Sequence, residues 1–149
     1  MNTIIRKAVK GDEKYIAHHN CLMAFETENK KLAPAIVLKG VKAVFADPKK
    51  GFYLVAQIND NVIGNLMITY EWSDWRNSTI WWIQSVYVKK EFRKKGIYSQ
   101  LYKQVINEAR KEKVNTLRLY VEKHNRSAKK VYKKLGMQQG IYDFYETVI

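Results

Sequence analysis

The sequence predicts a mixed α/β domain of 149 residues organised on one central sheet. Three observations carry that expectation. The run Trp81 to Val88 is dense in β-branched and aromatic residues and reads as a buried strand. Immediately after Gly96 the apolar period changes from strand-like to helical, and Thr116 to Val121 then alternates again, which makes a strand-helix-strand unit with parallel strands. Upstream, two apolar runs flank Asn59-Asp60-Asn61, the pattern of an antiparallel hairpin.

Taken in order, Thr3 to Ala8 alternates as an edge or second-row strand. Asp12 is placed to cap a helix running to about Phe25, with Ile16, His19, Leu22 and Met23 near one face. His18 and His19 are adjacent, and neighbouring helix positions diverge by about 100°, so they make a poor joint metal site. Glu26 to Lys31 reads as a polar connector, and Pro34 as the first-turn proline of a second helix carrying Val37, Leu38, Val41, Val44 and Phe45. Asp47-Pro48-Lys49-Lys50-Gly51 ends it.

Phe52 to Ile58 and Val62 to Tyr70 are the hairpin strands. Glu71 to Ser78 reads as a polar loop holding Trp72 and Trp75, which either pin the loop to the body or face a ligand, pinning being the commoner role. In the helix after Gly96, Ile97, Leu101, Val105 and Ala109 form one apolar row, with Tyr98, Tyr102 and Ile106 beside it. Asn125 is a good N-cap for a last helix with Ala128, Val131, Tyr132 and Leu135 on one face and Gly136 as its stop. The Tyr- and Phe-rich stretch Met137 to Ile149 is expected to add a final strand. No repeat or linker interrupts the chain, so residues 1–149 are expected to form a single domain.

Composition narrows the partners. No run of about 18 apolar residues occurs and the N-terminus lacks a signal-like segment, so a cytoplasmic protein without membrane association is expected. The single cysteine, Cys21, allows no internal disulfide and no cysteine-based metal cluster, and it reads as a core residue. A net charge of +13 suits nucleic acid, an anionic membrane or a polyanionic small molecule, but the charges are spread over helix faces and turns rather than gathered in a tail.

The chemistry concentrates where strand meets helix. Unpaired N–H groups and the dipole make a helix start attractive to phosphate. Gly96 permits close backbone approach or a positive φ, and Arg93, Lys94 and Lys95 add charge at the same end. One glycine among basic residues is also an ordinary turn, so this stretch alone does not decide.

Val86-Tyr87-Val88 followed by Arg93-Lys94-Lys95-Gly96-Ile97-Tyr98 resembles the strand and Arg/Gln-x-x-Gly-x-Gly/Ala turn of the GNAT superfamily of acyl-CoA-dependent N-acetyltransferases. A second element agrees: Asn125-Arg126-Ser127-Ala128, then Tyr132-Lys133-Lys134-Leu135-Gly136-Met137, is similar to that family's Asn-x-x-Ala and Tyr-x-x-x-Gly-Phe. The element order fits along nearly the whole chain. The resemblance implies a GNAT-like, mainly antiparallel sheet of about six to seven strands with helices on both faces. Tyr98 departs from the small residue usual at the motif's last position, and Gln84 stands where several relatives carry a glutamate base.

Carried over residue by residue, the resemblance implies that Val86, Tyr87 and Val88 offer backbone to the pantetheine arm of acetyl-CoA, with the Val86 N–H as oxyanion donor. Arg93, Lys94, Lys95, Gly96, Ile97, Tyr98 and Ser99 would cradle its pyrophosphate. Asn125 would touch the pantetheine, Ala128 would keep the helix face thin beside it, and Tyr132 would protonate the departing thiolate. Helix capping by Asn125 and core packing by Tyr132 remain alternative roles on spacing alone. Gln84 cannot take a proton, so the base is a water relay or another residue.

Glu26, Glu28, Glu71 and Asp74, expected on loops around the acceptor, are candidates for the base, and with Trp72 and Trp75 they suit a cationic amine. No metal is expected. The partners expected are acetyl-CoA and a small amine or peptide, with a homodimer left open. Two further readings stand beside acetyl transfer: a non-catalytic acyl-CoA sensor, and a basic nucleic-acid-binding module on the same fold.

Overall fold

The structure is a computed structural model of the chain and describes residues 2–149. These form two compact units, one ending at Leu119 and one comprising Tyr120–Ile149. The first unit runs β1 (Thr3–Lys7), α1 (Glu13–Glu28), α2 (Pro34–Ala46), β2 (Phe52–Ile58), β3 (Asn61–Ser73), β4 (Ser78–Val88), a 3-10 turn (Lys90–Phe92), α3 (Ile97–Lys111) and β5 (Leu117–Arg118). The second unit contains α4 (Arg126–Lys134).

The five strands lie in sequence order, β1 to β4 antiparallel and β5 parallel to β4. Alternation along β2 sorts the side chains. Leu54 and Ala56 join Leu66, Ile68, Trp81 and Ile83 on the face covered by Ile97, Leu101, Val105 and Ala109 of α3. Tyr53 and Val55 turn the other way, onto Ile16 and Ala17 of α1 and Val41 of α2. Helices therefore cover both faces, as the sequence predicts, and the spacing of four along α3 is the spacing of its buried row.

Several boundaries are corrected. The sheet has five strands among the described residues, not six to seven. The run Thr116 to Val121 pairs only at Trp81–Leu117 and Trp82–Arg118, leaving a strand of two residues. Met137 to Ile149 forms no strand, and Ile141, Tyr142, Phe144 and Tyr145 are exposed. Aromatic density marks residues that suit a pleated surface, but a strand also needs a ladder partner, and composition does not supply one.

Helix α1 continues through Glu26 to Glu28, because nothing in that polar stretch breaks a helix before Asn29 turns left-handed at φ 52°. Asp12 precedes α1 without capping it by its side chain. Its carboxylate instead accepts from the Val9 N–H at 2.8 Å and pairs with Arg6 at 2.7 Å. Glu71, Trp72 and Ser73 belong to β3, so the hairpin turn shrinks to 74–77. Trp72 and Trp75 are exposed, at 63% and 87%. Cys21 is only half-buried.

Gly51, between α2 and β2, sits at φ 142°, and a Cβ built there would lie 2.0 Å from the Ile68 carbonyl oxygen of β3. An alanine cannot fit without moving the β2–β3 ladder. Gly51→Ala is expected to lower the unfolding free energy by about 2–4 kcal/mol, from strain and overpacking together. A urea midpoint within error of wild type would mean that the backbone at this junction relaxes freely.

Candidate active site

Between Ile83 and Ser99 the chain leaves its regular ladder twice. The first departure is in β4. Asn65 pairs with Tyr87 and Met67 with Gln84, so Ser85 and Val86 together stand opposite Leu66, a bulge of one residue. Ser85 takes the left-handed conformation, φ 50°. On the other edge of β4, pairing with β5 stops at Trp82. The backbone from Ile83 to Val88 is thus free of a strand on that side among the described residues, which is what an extended ligand arm needs in order to bond along it.

The second departure is the turn into α3. Lys94 (φ 60°) and Gly96 (φ 75°) are both left-handed, and Gly96 is the N-cap residue of α3. The helical ladder begins with Gln100 N–H bonding the Gly96 carbonyl, so the N–H groups of Ile97, Tyr98 and Ser99 start the helix without intrahelical acceptors. No heavy atom lies within 4 Å of a Cβ built on Gly96. Two left-handed residues, open space where a Gly96 side chain would project, a helix N-terminus and the exposed Lys94 and Lys95 together suit a pyrophosphate.

The side chains around this stretch have defined partners. Tyr98 does not crowd the turn, because its ring is partly buried against the α3-side core and lies 6.3 Å from the Tyr102 ring. Arg93 turns back: Nε donates to the Val88 carbonyl at 2.7 Å, a terminal nitrogen donates to Glu26 at 2.6 Å, and the guanidinium lies over the Tyr87 ring. These bonds brace the turn. Lys95 lies over Phe92.

Glu26 accepts from the Tyr87 hydroxyl at 3.0 Å as well as from Arg93. Burial disfavours its charged form, but the bonds from Arg93 and Tyr87 and the charges of Arg93 and Lys90 outweigh that, so its carboxyl is held below the ordinary range. Burial and the same contact push the Tyr87 hydroxyl up to about 12. Glu26 is therefore an ion-pair partner on a helix rather than a loop residue. Glu71 likewise accepts from Trp82 Nε1 at 3.1 Å and from Arg118 at 2.9 Å. Glu28 closes α1, exposed, and Asp74 accepts the Trp75 N–H of its own turn. Gln84 donates to Thr69 Oγ1 at 2.6 Å, which holds its amide toward β3.

In the second unit Asn125 caps α4, its Oδ1 accepting from the Ala128 N–H at 3.2 Å. Tyr132 is half-buried on that helix, and burial raises its hydroxyl pKa above the ordinary tyrosine value. Its hydroxyl therefore stays protonated at neutral pH. Among the described residues no group of three or more His, Cys, Asp or Glu side chains could hold a metal.

A family model described as Acetyltransferase (GNAT) family matches residues 13–137. The chain belongs to the GNAT acetyltransferases. A solved structure of a possible acetyltransferase from Clostridium difficile 630 is 45% identical over 100% of this chain and 99% of that one, with a TM-score of 0.92. A predicted acetyltransferase with acetyl-CoA from Clostridium acetobutylicum, 18% identical, shares the fold at a TM-score of 0.80, covering 98% of this chain and 96% of that one. A curated relative, thialysine N-epsilon-acetyltransferase of Bos taurus, is 35% identical over 77 residues, 52% of this chain. The matched stretch spans 45% of that relative, less than half of its length.

Sequence reasoning missed the polar pair bonded to the β4 bulge of this GNAT chain. His19 and Asn65 are buried, 2.7 Å apart, and Asn65 Nδ2 donates to the Ser85 carbonyl at 2.9 Å. The available signal was an asparagine inside an apolar strand pattern, which must find partners when buried. Burial holds the His19 pKa below its usual value; the Asn65 bond opposes this, and Lys89 and His18 reinforce it.

A depressed histidine pKa contributes stability that is present above the unfolded value of about 6.5 and is lost as pH falls through the folded value. The wild type is therefore expected to lose more unfolding free energy between about pH 7 and 5 than His19→Gln does. Equal losses in denaturant titrations would remove His19 as the source.

Proposed function

We propose that this GNAT chain is an N-acetyltransferase that moves an acetyl group from acetyl-CoA to a primary amine of a small molecule or peptide. The observation that carries the reading is the stretch Ile83–Ser99, where an unpaired strand edge with a bulge runs directly into a basic turn and an open helix start. The strand edge suits the pantetheine arm and the turn suits the pyrophosphate.

The amine nitrogen attacks the thioester carbonyl carbon, a C–N bond forms and the C–S bond breaks. In this scheme the Val86 N–H binds the acyl oxygen as charge develops there. Tyr132, assigned by its sequence motif, gives its hydroxyl proton to the departing thiolate. A free amine is needed, and an amine of pKa about 10 is protonated in roughly all but one molecule in a thousand at neutral pH. Gln84 cannot accept that proton, and Glu26 and Glu71 are committed to Arg93 and Arg118. Water held near Gln84 is the proposed relay.

The bovine relative's name points to an ε-amine on an amino-acid side chain, and a cationic acceptor of that kind would suit Glu28, Trp72 and Asp74. The test is a panel of amines, thialysine among them, with amino acids, aminoglycosides and peptides, read as thiol release from acetyl-CoA. Acceptor-dependent release supports the reading. A melting point raised by coenzyme A without turnover on any acceptor would favour the acyl-CoA sensor that Gln84 keeps open. Indifference to coenzyme A, with nucleic-acid affinity falling steeply in salt, would favour a binding module.

A further inference from the structure

His19 and Asn65 are 1% and 0% exposed, and apolar side chains would be the cheaper occupants of both positions. Their bonds have a direction. Asn65 Nδ2 donates to the Ser85 carbonyl, which can only accept, and this fixes the amide orientation. Asn65 Oδ1 then faces His19 Nδ1, so His19 is the Nδ1–H tautomer and donates. A directed chain thus runs from α1 through β3 to the carbonyl of the one left-handed residue in β4.

That carbonyl matters because a serine disfavours positive φ and reverts unless something holds it. Reversion would flatten the bulge, and a shift of one residue turns the following side chains to the opposite face. It would also rotate the peptide that carries the Val86 N–H. The His19 ring also lies 5.0 Å from the ring of Tyr87, the residue at which the β3–β4 register resumes after the bulge.

We propose that His19 and Asn65 are positioning residues for acyl transfer: by holding the Ser85 carbonyl they fix the β4 bulge and aim the Val86 N–H at the acyl oxygen. The proposal rests on the acetyltransferase reading for its chemistry but not for its geometry. Coenzyme A lacks the acyl group, so its binding uses the strand edge through the pantetheine arm but not the aimed N–H, and loss of the bulge should cost it less than it costs acyl transfer.

The test is the double variant His19→Leu/Asn65→Leu, which removes both polar groups together and strands neither. Calorimetric affinity for coenzyme A is expected to fall clearly less than kcat, because only part of the pantetheine edge moves, while kcat for acetyl transfer falls roughly 10-fold to 10²-fold, the scale of a misaimed oxyanion donor. Adding Ser85→Gly, which tolerates the left-handed conformation unaided, is expected to recover kcat by about tenfold. If the double variant does not fold, His19→Leu is compared with His19→Gln, which keeps a donor. The former is expected to be slower by about tenfold or more.

A substrate-free readout stands beside these. The amide signals of Ser85, Val86 and Tyr87 are expected to shift in the folded variant while those of Val105 to Lys111, in α3 on the opposite face of the sheet, stay. Unmoved amides overturn the proposal, as does a kcat within about threefold of wild type or a parallel fall of kcat and coenzyme affinity. A wild type that transfers to no amine would instead overturn the transferase reading, and the amide signals would still decide the bulge.

Discussion

Gly96→Val is expected to weaken coenzyme A binding by about tenfold or more, close to 1.4 kcal/mol, while the protein stays folded. Gly96 lies at φ 75° with open space where a side chain would project. A Cβ there meets no neighbour in the free protein, so the stability cost is mainly conformational, about 1–2 kcal/mol. The bound state is different, since the branched side chain would fill the space that the pyrophosphate needs. Calorimetric titration with coenzyme A separates the two effects, and unchanged affinity in a folded variant would sink the site. Lys94 and Lys95 should each matter less, because both are exposed and their fields are screened.

The parts of the site that were legible are those whose chemistry is local. A glycine between basic residues at a strand-to-helix change reports a turn, and the structure gives Gly96 the positive φ that the turn requires. Asn125 before an apolar helical face reports a cap, and its side chain caps α4. The apolar row of α3 reports its own burial. Each of these signals lies within a few residues of the feature it predicts.

What the sequence hid depends on partners far along the chain. Arg93 is 67 positions from Glu26, and only their ion pair shows that the motif's arginine braces the turn. Glu26 read as a loop acid because the polar stretch around it has no apolar period. In the structure the helix simply runs on to Glu28. The bulge at Ser85 is a mismatch in count between two strands, and no residue type in β4 announces it. The absent last strand is the same lesson reversed: Met137 to Ile149 has the composition of a strand and no ladder.

Tyr132→Phe is expected to lower kcat by roughly 10²-fold or more with little change in coenzyme binding, the usual scale of a lost general acid. Helical spacing makes Tyr132 a packing residue and the family motif makes it the proton donor, and phenylalanine separates the roles because the ring is kept while the hydroxyl is lost. A packing role alone predicts a small stability change and normal turnover. The direction of its pKa matters here: burial raises it, so the donor form persists through neutral pH and this group cannot produce an alkaline loss of activity below about pH 10. The defect should shrink for acyl donors whose thiol is more acidic, since such a leaving group needs less help. Should kcat stay within about threefold while chemistry is rate-limiting, solvent or a helix N-terminus must assist the thiolate instead.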